Sequence, residues 1–192
     1  MLFRSEKTEA WLFFDDGHLY VAARCWDTNP AGIVADEMRR DSANINNNDV
    51  FGWGLDTFHN LRDMAIFEVS AAGGRSDAQL TNERELSMDW NPIWQAKAGR
   101  FEGGWVMEAA IPFKSLRYRP GAEQVWGIQF KRRHMAKNEY SQLTPVPAAL
   151  GPMGHSRAAL AATVVGLEVP TSRLNLDIKP YATAHQIGRA HV

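Results

Sequence analysis

The sequence predicts an all-β domain, an antiparallel β-sandwich of jelly-roll type, followed by the first strand of a second, truncated domain. Three observations carry the prediction. Apolar residues recur at every second position in short runs along most of the chain. Turns rich in Gly, Asp and Asn separate those runs at close spacing. No helix of three clear turns can be traced before residue 157.

The elements follow in order. "AWLFFDDGHLYVAARCWD" reads as two strands joined by the tight turn Asp15-Asp16-Gly17. In the second strand Leu19, Val21, Ala23 and Cys25 share one face, and Tyr20, Ala22, Arg24 and Trp26 the other. "IVADEMRRD" fits either a strand or a helical turn, and an Asn-rich loop follows it. In "VFGWGLDTF", Phe51, Trp53 and Leu55 alternate with small residues. "MAIFEVSA" and "RSDAQL" form a hairpin across Gly73-Gly74, and residues 81–93 read as a loop. "WQAKAGRF" and "GGWVMEAAIP" make the next hairpin, which Pro112 ends. "QVWGIQFKRR" is a further strand; the stretch after residue 157 fits helix or strand. These elements assign residues 1–168 to the sandwich. Residues 169–192, in which Leu174, Leu176 and Ile178 alternate, are assigned to the start of the second domain.

Composition excludes several classes. The chain has 192 residues, 45% hydrophobic and 22% charged, which suits one domain with a sizeable core. A net charge of −1 gives no field for nucleic acid or an anionic membrane. With Cys25 as the single cysteine there is no intrachain disulfide, and its place on an apolar strand face marks a buried structural thiol. No export signal precedes "SEKTEA".

Motifs for chemistry are sparse. There is no GxxxxGK[ST] or GxGxxG, and the six histidines show no zinc-like spacing. Residues 41–49 are rich in oxygen ligands without the EF-hand spacing. They read as a solvated loop with Asn and Asp side chains capping turns, and a calcium ion on Asp41 or Asp49 is the alternative. Carboxylates abound, but no spacing singles out the acid and base that glycoside hydrolysis requires.

Tryptophan is the better lead. Aromatic faces stack on the C–H faces of sugars, and planar polar groups meet the hydroxyls. Trp90 and Trp94 in "DWNPIW" stand beside Asp89 and Asn91, and Trp26 shares a strand face with Arg24. These six residues are the expected ligand contacts. Trp53, Trp105 and Trp126 are expected in the core.

Taken in order, "DDGHLYVAARCWDTNP", "RRD", "NDVFGWGLDTFHNLRDMAIFEVSAAGGRSDA", "DWNPIWQAKAGRFEGGWVMEAAIPFKSLRY" and "VWGIQFKRRHMAKNE" carry a family resemblance. Residues 6–168 resemble the family 9 carbohydrate-binding-module-like domain at the front of large exported bacterial proteins. The resemblance implies a β-sandwich, a periplasmic or outer-membrane location, and a following barrel-like domain as partner. It also implies non-catalytic binding of a glycan or sugar terminus, in carbohydrate catabolism. A docking or plug domain for the barrel and a glycoside hydrolase are the rival readings. The family's export signal and earlier opening strand are absent here, which reads as a fragment. In the family "WVMEAAIP" is a central strand. An ion pair of Glu108 with Arg132 or Arg133 from the neighbouring strand is therefore the expected state of that carboxylate.

Overall fold

The computed structural model describes residues 6–119 and 121–170; of the stretch expected to open a second domain, residues 169–192, all from 171 on lie outside the described residues. Among the described residues the alternation noted above becomes strand in every case where it runs for seven residues or more.

The first hairpin joins β1 (Thr8–Phe14) to β2 (His18–Trp26). Asp15 sets its turn: Oδ1 accepts the amides of Gly17 and His18 at 2.7 Å, and Oδ2 accepts the Tyr20 hydroxyl at 2.7 Å. The chain continues through β3 (Val50–Asp56), β4 (Met64–Ser70), β5 (Arg75–Thr81) and β6 (Glu85–Ser87). Then come β7 (Gln95–Phe101), β8 (Gly104–Pro112), β9 (Glu123–His134), β10 (Glu139–Gln142) and β11 (Ala162–Glu168).

Two antiparallel sheets result. The smaller has the order β1-β2-β8-β7. The larger runs β10-β9-β3-β4-β5-β6, with β11 also on β9. Their facing sides make the core. Leu19, Val21, Ala23 and Cys25 of β2 and Trp105, Met107, Ala109 and Ile111 of β8 meet Phe51, Trp53 and Leu55 of β3 and Trp126 and Ile128 of β9. Trp53 stacks on Phe67 at 5.5 Å between ring centres, a contact of the kind that adds about 0.5–1.5 kcal/mol beyond its buried area. Burial pushes the Cys25 thiol up to about 12, so it is an inert core group.

Two element assignments change, and one left open is settled. Residues 81–93 include the short strand β6. "IVADEMRRD" is neither strand nor helix: Asn48 Oδ1 accepts the amides of Asp36 and Glu37, and those side-chain bonds replace ladder bonds. The stretch after 157 begins as a 3₁₀ turn, Ala158–Leu160, and continues as β11.

The Glu108 ion pair is not formed. Glu108 has the parity of Val106 and Ala110, opposite to Trp105 and Met107, so it faces outward and is exposed on the smaller sheet. Its cross-strand neighbours are Ala22 and Lys97. Arg132 and Arg133 belong to the other sheet, with the core between. Arg132 points inward at one end of the sandwich, donating to the carbonyls of Lys7 (3.1 Å) and Trp26 (2.7 Å) and to Thr8 Oγ1 (3.1 Å). Arg133 points outward, its guanidinium 5.2 Å from the Tyr140 ring centre. The buried pair of the fold is a different one, Lys131 with Glu68.

Beside Arg132, at the same end of the sandwich, ligand atoms of Glu6, Asp27 and His134 lie within 4.8 Å of one another. Each already has partners. Glu6 takes the Lys137 ammonium and the Thr28 hydroxyl and amide. His134 Nε2 lies 2.9 Å from Asp27 Oδ2, and its Nδ1 accepts the Lys137 amide at 3.3 Å. Burial works to raise the Glu6 carboxyl, but Lys137 and Thr28 outweigh it and bring it from 4.5 down to about 2. A carboxyl depressed by folding stabilises fully above its unfolded value and loses that contribution as pH falls through its folded one. Thermal melts should therefore show the midpoint dropping between pH 4.5 and about 2. Glu6→Gln should flatten that slope, and an unchanged slope would remove Glu6 from the account.

Candidate functional site

The outward face of the larger sheet is built around missing side chains. On β3 the inward residues Phe51, Trp53 and Leu55 are large, and the two central outward ones, Gly52 and Gly54, have no side chain. A Cβ on Gly52 would sit 3.2 Å from Glu68 Cγ, and one on Gly54 2.5 Å from Met64 Cε. Glycine thus lets the Lys131–Glu68 pair and Met64 lie across the strand. Above this floor is a cavity of about 490 Å³, walled by residues 41–46 on one side and by Leu86, Met88 and Tyr140 elsewhere.

Residues 37–41 are fastened to the sheet by their charges, which fixes that wall. Glu37 accepts Arg39 through both carboxylate oxygens (3.0 and 2.9 Å) and also Ser42, bonds that hold its carboxyl well below the usual range. Arg40 Nη2 donates to Asp77 Oδ1 at 2.7 Å and to the Pro92 carbonyl at 3.0 Å. Asp41 Oδ1 accepts the Asp77 amide at 3.2 Å, and its Oδ2 lies 3.2 Å from Arg40 Nε. Gly74 admits the loop closely, since a Cβ there would meet the Glu37 carbonyl oxygen at 2.4 Å. The "RRD" motif is therefore a clasp.

The sequence-predicted ligand contacts do not converge. Trp94 is a core residue, 2% exposed, with its edge on Trp53 (5.8 Å) and Phe67 (5.1 Å) and its Nε1–H donated to Asp77 Oδ1 at 2.8 Å. No sugar can reach its face. Trp90 is half-buried against Phe67 and borders a smaller cavity of about 180 Å³, with Asp89 and Asn91 exposed beside it. Trp26 and Arg24 lie apart, on the outward face of the smaller sheet. There Trp26 Nε1 donates to Glu9 at 2.9 Å, Phe101 stands edge-on at 5.0 Å, and Arg24 and Lys7 lie over the ring. The two calcium candidates are also separately committed. Asp41 belongs to the clasp, and the fully buried Asp49 accepts the Val34 amide through Oδ2 at 2.9 Å. Burial pushes the Asp49 carboxyl up.

The cavity offers what those residues were expected to offer. Arg133, Ser76, Asn46 and Tyr140 line it, and their side-chain polar groups carry no hydrogen bond within the described residues. Each of its carboxylates has a cation beside it, Lys131 at Glu68 and Arg40 at Asp77 and Asp41, but the Asp77 donors share Oδ1 and leave its Oδ2 buried without a hydrogen bond. Burial pushes the Asp77 carboxyl up against the opposing pull of those donors. Of the cavity residues the sequence singled out only Asp41 and Arg133, and in other roles, although strand parity carried a signal: Gln129, Lys131 and Arg133 are the outward partners of Trp126, Ile128 and Phe130.

The domain is thus a two-sheet antiparallel sandwich with a polar cavity on its larger sheet. No protein-family model matches the sequence, and no curated protein matches it. Solved structures do. A family 9 carbohydrate-binding module from Caldicellulosiruptor kristjanssonii, solved with cellotriose, aligns at a TM-score of 0.58 and 16% identity over 93% of this chain and 83% of that one. Such a module from the same organism solved with glucose aligns at 0.58 and 14%, over 91% and 82%. A candidate carbohydrate-binding protein from Bacteroides uniformis ATCC 8492 aligns at 0.67 and 10%, over 86% and 79%. In fold, the domain is like the family 9 carbohydrate-binding modules.

Proposed function

We propose that the domain binds carbohydrate without transforming it, and that the cavity on the larger sheet is where it does so. The observation that carries this reading is the convergence of unpartnered hydroxyl, amide and guanidinium groups around a floor made by the Lys131–Glu68 pair. A cavity of about 490 Å³ is in the range of small-molecule sites, and Ile66, Leu86 and Met88 supply apolar lining beside the polar groups. Likeness in fold to modules solved with cellotriose and glucose supports it. Catalysis is disfavoured because Asp41, Glu68 and Asp77 at the cavity are each ion-paired with Arg40 or Lys131, which leaves no free carboxylate to act as the second group that glycoside hydrolysis needs. On this reading the domain serves carbohydrate catabolism in an exported protein, at the periplasm or outer membrane.

Docking against a barrel-like partner domain is the second reading. Edge strand β1 favours it, with Trp11, Phe13 and Phe14 respectively 42%, 49% and 41% exposed.

Affinity electrophoresis of the chain through gels of soluble polysaccharides tests the first reading. Retardation by at least one polysaccharide is expected, lost in Tyr140→Ala and retained in Trp26→Ala. Retardation lost only in Trp26→Ala would move the site to the smaller sheet. No retardation of a folded protein in any gel would favour docking.

A further inference from the structure

We propose that the ligand of this cavity carries a carboxylate, as a uronic acid residue does, and that Arg133 reads it. The inference rests on taking the cavity as a sugar site and adds the class of sugar.

Two cations line the cavity, Lys131 and Arg133, and Lys131 is neutralised by Glu68. Arg133 has no carboxylate partner within the described residues. Its Nε–H is fully buried and finds no acceptor. Arg40 and Arg132 also bury an unmet Nε–H, but their terminal nitrogens are held by Asp77 and by backbone carbonyls, whereas those of Arg133 have no acceptor within the described residues. The surroundings also hold the side chain ready. Arg133 pairs in register with Tyr140 on one side and Val50 on the other. Its guanidinium carbon lies 5.2 Å from the Tyr140 ring centre. Stacking occupies the face of the guanidinium and leaves the N–H groups on its edge free. Those edge donors form the planar fork that a carboxylate accepts in two parallel hydrogen bonds. Ser76 and Asn46, at the same cavity, are left to meet hydroxyl groups. A neutral hexose would leave the fork half used; a hexuronate fills it.

The test uses the whole chain in affinity gels at about 0.15 M salt, where diffuse attraction between exposed charges is screened beyond about 8 Å. Polygalacturonate and alginate present sugar carboxylates. Fully methyl-esterified polygalacturonate presents the same rings without charge, dextran sulfate presents charge without carboxylate, and hydroxyethyl cellulose presents neither. Retardation by polygalacturonate or alginate is expected, absent for the methyl ester and for dextran sulfate. Arg133→Gln should weaken it about tenfold to a hundredfold, the span of one charge-assisted bond or bidentate pair. Arg133→Lys should recover only part. A thermal melt accompanies each variant, and the methyl-ester comparison needs no variant at all. Equal retardation by the acid and its ester, retardation by dextran sulfate as strong as by the uronates, or an Arg133→Gln protein bound as tightly as the parent would overturn the inference. Retardation by hydroxyethyl cellulose alone would overturn it while leaving the sugar site standing. No retardation in any gel would remove both.

Discussion

Trp94→Ala is expected to cost the domain about 3–5 kcal/mol, the range for truncating a large buried aromatic. That is a large part of the roughly 5–15 kcal/mol by which a domain is stable. Two losses combine. The indole fills space between Trp53 and Phe67 at the centre of the sandwich, and its removal leaves a cavity that fixed strands cannot close. Its Nε1–H also serves Asp77 Oδ1, which is 1% exposed and would keep only Arg40. Trp94→Phe separates the two, restoring most of the ring without the donor, and should still cost about 1–3 kcal/mol for the lost Asp77 hydrogen bond, with the rest of the alanine penalty recovered. Urea denaturation followed by circular dichroism reads both through the midpoint, provided the slope is unchanged. A Trp94→Ala midpoint within experimental error of the parent's would mean the ring is not part of the core.

Why Trp94 reads as a surface residue in the sequence is instructive. "DWNPIW" has the look of an exposed loop, with Pro and Asn between two indoles. Burial is decided elsewhere, by Asp77 on β5 and by Arg40, which reaches back to the Pro92 carbonyl across 52 positions. Local pattern holds no record of such a contact. The sandwich itself was legible because burial on one face imposes alternation, and Phe51, Trp53 and Leu55 against Gly52 and Gly54 could be read directly. Strands β6 and β10, of three and four residues, are too short for a period to be counted. Glu108 shows a further limit. Parity says which residues share a face, but not to which sheet a strand belongs, and so "VMEAA" passed for a strand buried on both sides. Its outward neighbours Val106 and Ala110 are only half-buried, and Glu108 between them is exposed. The cavity escaped for the same reason as Trp94. It takes residues from β4, β5, β9, β10 and the loop after Arg40, which only the strand order brings together.

Glu68→Ala should be about as damaging as the loss of Trp94, and its rescue tests the architecture of the cavity floor. Lys131 is 3% exposed and Glu68 9%, and the two meet on the outward side of Gly52. Taking one charge away strands the other in a site that water scarcely reaches, which costs about 3–5 kcal/mol in comparable buried pairs. Replacing both charges together is different. Glu68→Leu combined with Lys131→Met removes the desolvation penalty along with the attraction, and comparable replacements range from neutral to about 1–4 kcal/mol stabilising. A denaturation cycle of Glu68→Leu, Lys131→Met and the double change measures the coupling. If the double variant were as unstable as Glu68→Ala, the pair would be supplying more than mutual neutralisation. Glu68 would then owe its place to its other contacts. If instead the double variant is stable, the same protein becomes the sharpest probe of the cavity. Its floor would be apolar, its wall and Arg133 unchanged, and any ligand that still bound would be held by the rim alone.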